Sequence, residues 1–351
     1  MESFLFKQMQ QYDYENLFFC QEQRTGLKAV IAIHSTALGP AAGGTRMWTY
    51  ATEQEAIIDA MRLARGMTYK LAAIGAPFGG GKCVLIGDPR RDKSEALLRS
   101  LARFVHRLGG LFLTGVDVGI TTEDALLMSQ ETPFVVKEAG GPGLGESGAA
   151  TALGVIEGMR ACLKSVYGSP DLLGRSVVVQ GVGSVGHQVV QRLVEAGARV
   201  RVSDLNQEAL EQISNAYDVA IVPAETVSQQ QVDVYCPCAL GAVLNDETVP
   251  QLQCRIICGS ANNQLQEARH GDWLTQRNIL YAPDYIVNSG GALTHLDTMH
   301  PDGFNEQRVA ASIAGIYETM ERVIAIAQEQ QVPMHRAADL LAEEHLASRL
   351  R

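Results

Sequence analysis

Two lysines stand about a dozen positions apart in short segments of small and apolar residues, Gly66-Met67-Thr68-Tyr69-Lys70 and Gly79-Gly80-Gly81-Lys82. A lysine is ordinarily kept at the surface, because taking an ammonium out of water is costly unless something pairs with it. Here Met67, Tyr69, Ala72, Ala73, Phe78 and Val84 flank the two residues, so both side chains are expected to be withdrawn from solvent for a chemical reason. Burial and a like-charged neighbour both depress an ammonium pKa, which would let one lysine act as a base near neutral pH while the other stays charged and holds a carboxylate. The glycines before Lys82 do not make a phosphate loop, because the Gly-Lys-Cys sequence lacks the rest of that pattern.

A second chemical signal lies in the other half of the chain. Gly181-Val182-Gly183-Ser184-Val185-Gly186 follows the strand-like run Val177 to Gln180 and opens a helical stretch from Val185 to Ala196. In that setting the first glycine permits a tight turn, the second lets backbone approach a pyrophosphate, and the third lets helix and strand pack closely, with the helix N-terminus facing the anion. Asp204 lies about 20 residues further on, at the end of the next strand-like run, Ala198 to Ser203, where a carboxylate accepts hydrogen bonds from ribose hydroxyls. The cofactor expected is NAD rather than NADP, since Asp204 would repel a 2′-phosphate and Leu205-Asn206-Gln207 offer no cation to receive one.

The elements that must carry these residues are also visible. Leu27 to Ile33 reads as a strand, Thr52 with Glu55 as a capping box before the apolar stripe Ala56, Ile57, Ala60, Met61, Leu63 and Ala64, and Ser94 to Leu108 as an amphipathic helix stopped by Gly109-Gly110. Further strands are expected at Val232 to Tyr235 and Arg255 to Cys258, a helix over Glu306 to Gln328, and a helix-forming tail from Met334. The glycine-rich stretch from Glu138 to Gly148 has the composition of a hinge. The expected architecture is α/β: an N-terminal α/β catalytic domain over residues 1–140 and a Rossmann-type, doubly wound NAD-binding domain over 141–332, with a cleft between them and the tail, about 333–351, packing back on the first domain.

Bulk properties narrow the class. A chain of 351 residues with 46% hydrophobic and 19% charged residues suits a two-domain globular protein, and its formal charge of −10 argues against a nucleic-acid partner. The N-terminus has no signal-peptide pattern and no apolar run reaches membrane-spanning length, so no membrane partner and a cytoplasmic location are expected. The seven cysteines form no CxxC pair, as for reduced thiols. Cys236-Pro237-Cys238 lacks the further His or Cys pair that a metal site would need, so no metal is expected.

Several long motifs occur in one order: LGPAAGGTRMWTY (Leu38 to Tyr50), GMTYK, GGGK, TGVDVG (Thr114 to Gly119), the glycine turn, CPCALG (Cys236 to Gly241), GSANNQL (Gly259 to Leu265) and YAPDYIVNSGG (Tyr281 to Gly291). Through them the chain resembles, over nearly its whole length, the leucine and phenylalanine dehydrogenase branch of the Glu/Leu/Phe/Val amino-acid dehydrogenases. The resemblance implies reversible oxidative deamination of an apolar L-amino acid to a 2-oxo acid and ammonia in a homo-oligomer. It implies that Lys70 binds the substrate carboxylate with Asn263 and the backbone around Gly43 and Gly44. Lys82 would activate the water that attacks the imino acid, and Asp117 would exchange protons with the nitrogen.

The cofactor set implied is Thr151, Gly181, Gly183, Ser184, Val185, Gly186, Asp204, Cys238, Ala239 and Asn262. Met67, Ala42, Gly115, Ala292 and His295 are expected at the substrate side chain. Leucine-acting members resemble one another in having Leu at 42, Ala-Glu at 115 and 116, and Val at 292 and 295, where this chain has Ala42, Gly115, Val116, Ala292 and His295. Smaller residues at such positions would enlarge the pocket and keep both branched-chain and aromatic substrates open. Gly148-Ala149-Ala150 stands where relatives often carry a proline before the threonine. Two other classes are distinguishable: a lyase that uses bound NAD transiently and regenerates it, which predicts turnover without net NADH, and a non-catalytic NAD-binding regulator, which would keep the glycine turn but is argued against by the presence of Lys70, Lys82 and Asp117.

Overall fold

The computed structural model describes residues 4–137, 139–140 and 143–349. They form two compact units, the first comprising Met1–Glu138 with Ala342–Arg351 and the second Ala139–Leu341. Of the expected hinge, Glu138, Gly141 and Pro142 lie outside the described residues, and a helix already begins at Ser147.

The first unit contains α1 (Phe4–Tyr12), β1 (Asn16–Glu22), β2 (Leu27–Ser35), β3 (Ala41–Ala42), β4 (Thr45–Trp48), α2 (Glu53–Ala73), β5 (Gly79–Ile86), α3 (Glu95–Arg107), β6 (Phe112–Leu113) and α4 (Thr122–Met128). Its sheet runs β1-β2-β5-β3-β6, with β4 also on β5; the β1, β2 and β5 pairings are antiparallel and the others parallel. β2 and β5 are buried along nearly their whole length because helices cover both faces. The α2 stripe Ala56, Ala60, Met61 and Ala64 meets Val30, Ala32 and Val84, while Leu97, Leu98, Leu101 and Val105 of α3 share a core with Ile31, Ile33, Cys83 and Leu85 on the opposite face. Full burial of each large aliphatic side chain contributes about 1.5–3 kcal/mol. Lys82 alternates in phase with Val84, opposite Ala32, and therefore points to the α2 face.

α2 begins where its cap is expected: the Thr52 hydroxyl accepts from Glu55 N at 3.1 Å, and Glu55 reaches back to Ala51 N. Its small residues let it lie very close to β5. A Cβ on Gly80 would come within 2.1 Å of both the Thr68 backbone nitrogen and hydroxyl, and one on Gly81 within 2.8 Å of the Phe112 ring. The glycine run is thus a packing requirement from both faces, and it sets the distance between the helix carrying Lys70 and the strand carrying Lys82.

The second unit begins with α5 (Ser147–Tyr167), β7 (Ser176–Gln180), α6 (Ser184–Glu195), β8 (Arg199–Ser203), α7 (Gln207–Ala216), β9 (Ala220–Ile221), β10 (Val234–Pro237) and β11 (Ile256–Ile257). It continues with α8 (Ala268–Gln276), β12 (Leu280–Tyr281), α9 (Asp284–Val287), α10 (Gly290–Asp297) and α11 (Glu306–Gln330), and α12 (Met334–Arg349) ends the described chain. All six strands are parallel in the order β12-β11-β10-β7-β8-β9. In chain order this is the 3-2-1-4-5-6 arrangement of a doubly wound dinucleotide fold, with the order reversing between β7 and β10. α11 ends at Gln331, in the left-handed region at φ 55°, before Pro333 prevents its continuation. No helix among the described residues is long and apolar enough to cross a membrane.

Candidate active site

The loop after β6 zips onto the β3–β4 segment. Gly43 N donates to Leu113 O at 3.0 Å, Thr45 N to Gly115 O at 2.8 Å and Met47 N to Val118 O at 2.8 Å, while the Thr45 and Thr114 hydroxyls meet at 2.7 Å. This seats Asp117 against Gly44, where a Cβ would lie 2.4 Å from Val116 O and 2.9 Å from Asp117 Cβ. From β5 the Lys82 ammonium, only 6% exposed as a residue, reaches Asp117 Oδ2 at 2.8 Å. Arg46 Nε donates to the same oxygen at 3.0 Å. Burial pushes the Asp117 carboxyl up, but Lys82 and then Arg46 outweigh it and hold it below the usual carboxylate range. A carboxylate thus touches Lys82.

The remaining candidates of the first unit lie on α2, on β3 and in the segments that follow β3 and β6. Lys70 and Met67 lie half-buried on α2, and a Cβ on Gly43 would fall 1.9 Å from Gly81 O and 3.2 Å from Met67 Cγ. Ala42 is buried in β3 between β5 and β6. The position a Cβ would take on Gly115 points at Val136 O, 3.3 Å away, so its missing methyl relieves backbone crowding within the unit.

In the second unit the candidates collect at the carboxyl ends of the strands. Gly181 follows β7 at φ 95°, a conformation open to glycine, and a Cβ there would strike Ala239 at 2.7 Å. A Cβ on Gly186 would lie 1.9 Å from Gly181 O, whereas the space around Gly183 is open, with nothing within 4 Å. Ser184 and Val185 form the first turn of α6. Asp204 follows β8, its carboxylate accepting from Val182 N at 2.7 Å and Asn206 N at 2.9 Å, which ties it to the glycine turn. Arg201 is directed to Gln230 at 2.9 Å. Cys238 and Ala239 follow β10 across the reversal point.

Thr151, on α5, accepts Gly291 N of α10 at 3.1 Å, and Ala292 and His295 lie half-buried on that same helix. Asn262 and Asn263 follow β11. The Asn262 side chain accepts from Asn288 Nδ2 at 2.7 Å, and Asn263 is left-handed at φ 53°, with its carbonyl accepting Ala242 N. This set fits a dinucleotide: an open glycine turn on a helix N-terminus at the reversal point, and an acid held beside it.

Comparison with known proteins settles the kinship. The Glu/Leu/Phe/Val dehydrogenase dimerisation domain matches residues 16–139, and the Glutamate/Leucine/Phenylalanine/Valine dehydrogenase domain matches residues 201–350. The chain belongs to the Glu/Leu/Phe/Val dehydrogenase family. It is 47% identical to a leucine dehydrogenase of Bacillus subtilis (strain 168), over 97% of this chain and 94% of that protein. It is 44% identical to a phenylalanine dehydrogenase of Caldalkalibacillus thermarum (strain TA2.A1), over 97% and 93% respectively. The crystal structure of L-tryptophan dehydrogenase from Nostoc punctiforme matches with a TM-score of 0.91 at 40% identity, covering 99% of each chain. The protein is therefore an amino-acid dehydrogenase, an oxidoreductase of a family that depends on NAD(P).

Within this dehydrogenase the sequence pointed to Lys82 and Asp117 but missed the groups that surround them. Arg46 Nη1 reaches Asp59 Oδ2 at 3.2 Å, the Tyr50 hydroxyl donates to that oxygen at 2.7 Å, and Arg62 holds Asp59 Oδ1 at 2.9 Å. Arg46 and Tyr50 stand inside LGPAAGGTRMWTY, but nothing in their spacing pairs them with Asp59 or Asp117. Asn288, the partner of Asn262, was likewise visible only as part of YAPDYIVNSGG.

Proposed function

We propose that this dehydrogenase catalyses the reversible NAD-dependent oxidative deamination of an apolar L-amino acid to the 2-oxo acid and ammonia. The observation that carries the reading is the 2.8 Å contact between the buried Lys82 and the half-buried Asp117, an acid–base couple largely withdrawn from bulk water. In this reading Lys70 binds the substrate carboxylate with Asn263 and the backbone at Gly43 and Gly44. Asp117 takes a proton from the substrate nitrogen, leaving the neutral amine from which hydride can depart. Lys82 then takes up the proton of the water that adds to the iminium carbon and holds the carbinolamine oxygen, and Asp117 returns its proton to the nitrogen, which leaves as ammonium as the carbonyl forms. NAD, when bound, supplies the hydride acceptor, and the Gly181 to Gly186 turn, Ser184, Val185, Asp204, Thr151, Asn262, Cys238 and Ala239 would hold it. Asp204 and the diversion of Arg201 to Gln230 favour NAD over NADP.

Met67, Ala42, Gly115, Ala292 and His295 are assigned to the substrate side chain. The named relatives act on leucine, phenylalanine and tryptophan, which supports an apolar side chain here. A cytoplasmic homo-oligomer working on a small molecule is the form we infer. The test is growth of NADH absorbance with leucine, valine, phenylalanine and tryptophan. Net NADH with at least one of them supports the reading, whereas ammonia release without net NADH would replace it by an NAD-retaining lyase.

A further inference from the structure

We infer that Arg46 is the positioning residue of the Asp117 carboxylate, holding it in place and ionised by bridging it to the Asp59–Tyr50 pair. The inference rests on the reading of Asp117 just given. Arg46 approaches Asp117 Oδ2 through Nε at 3.0 Å and Asp59 Oδ2 through Nη1 at 3.2 Å, so one planar guanidinium spans two carboxylates. Lys82 grips that same Asp117 oxygen from the opposite strand neighbour, β5, at 2.8 Å. Asp59 is fixed in turn by the Tyr50 hydroxyl at 2.7 Å and Arg62 at 2.9 Å, which anchors the far end of the bridge to α2.

Two cations therefore hold one carboxylate, but they differ in what else they can do. Lys82 is the group assigned to the reaction, and its contact with Asp117 must loosen whenever it turns to substrate. Arg46 stays charged at every working pH and is tied at its other end. It keeps the carboxylate oriented and ionised while Lys82 is otherwise engaged.

The charged groups around Asp117 are Lys82 from β5, Arg46 from β4, and, across Arg46, Asp59 and Arg62 from α2; Lys70 lies further along α2, and Lys93 bonds the nearby Gly119 carbonyl and Asp124. Arg46 also lines a cleft of about 550 Å³ with Trp48, Tyr50, Ile58, Arg62 and Val118, so a small cation has a route to its place.

The test compares the pH dependence of kcat in the wild type, Arg46→Met and Arg46→Lys. Loss of a neighbouring cation favours protonation, so the acid limb should move up by about one pH unit in Arg46→Met, with activity recovering at high pH and the amino-acid KM little changed. Arg46→Lys should restore part of the shift, and dilute guanidinium should rescue Arg46→Met. A uniform loss at every pH, or an unmoved limb without rescue, would overturn the inference. Arg46→Gln serves if the Met variant does not fold. Asp117→Asn separates the two levels: wild-type turnover in that variant sinks the site reading, whereas an inactive Asp117→Asn beside an unshifted Arg46→Met sinks only the role of Arg46.

Discussion

Lys82 is buried against the Asp117 carboxylate, and this contact underlies its assigned chemistry. A positioned acid–base group contributes about 10²–10⁴-fold to rate, so Lys82→Ala is expected to lower kcat by that order in the NADH assay while leaving the fold measurable by circular dichroism. Asp117 adds a pH dependence to stability. Its folded pKa is depressed, so its stabilisation is fully present above the ordinary carboxylate range and lost as pH falls through the folded value. Asp117→Asn, which leaves a buried ammonium without its partner, should cost about 3 kcal/mol in denaturant unfolding at neutral pH. The gap to the wild type should close as the pH is lowered toward acid denaturation, and a gap that stays constant down to that point would contradict the assigned linkage.

At the scale of elements, the distance between α2 and β5 matters more than any one side chain on them. Gly80 is the point of closest approach, and a methyl group there would meet the Thr68 backbone at 2.1 Å with no flexible side chain to yield. Gly80→Ala should therefore push the helix off the strand, destabilising the protein by about 1–3 kcal/mol or more. Because Lys70 rides on α2 and Lys82 on β5, the same variant should also raise the amino-acid KM and lower kcat. Thermal unfolding and steady-state kinetics on one preparation check both effects, and a stability loss with unchanged kinetics would show that the glycine run serves packing alone.

For the whole molecule, the second unit supplies a dinucleotide fold whose strand order reverses where the glycine turn and Cys238-Ala239 meet. Binding that favours the folded state stabilises it by mass action, about 2.7 kcal/mol at a ligand concentration 100 times Kd. Saturating NADH should raise Tm clearly and NADPH much less, because Asp204 sits beside the turn with its carboxylate tied to Val182 N. In Asp204→Ala that difference should shrink; equal stabilisation of the wild type by both cofactors would count against the NAD preference.

The glycine turn, its strand and helix, the Thr52 cap, the α3 stop at Gly109-Gly110 and the two lysines were legible in the sequence because each depends on residues close together in the chain. The family resemblance added Asp117, which spacing alone could not join to Lys82. Pairings across long separations were not legible: Arg46 to Asp117 and Asp59, Asn288 to Asn262, and Asp204 to Val182 are made by sheet register and loop zippering, which depend on the whole fold. Local sequence determined which groups are present and which elements carry them. Tertiary structure decided that the buried Lys82 meets the Asp117 carboxylate, because only packing chooses which charges share a site removed from water.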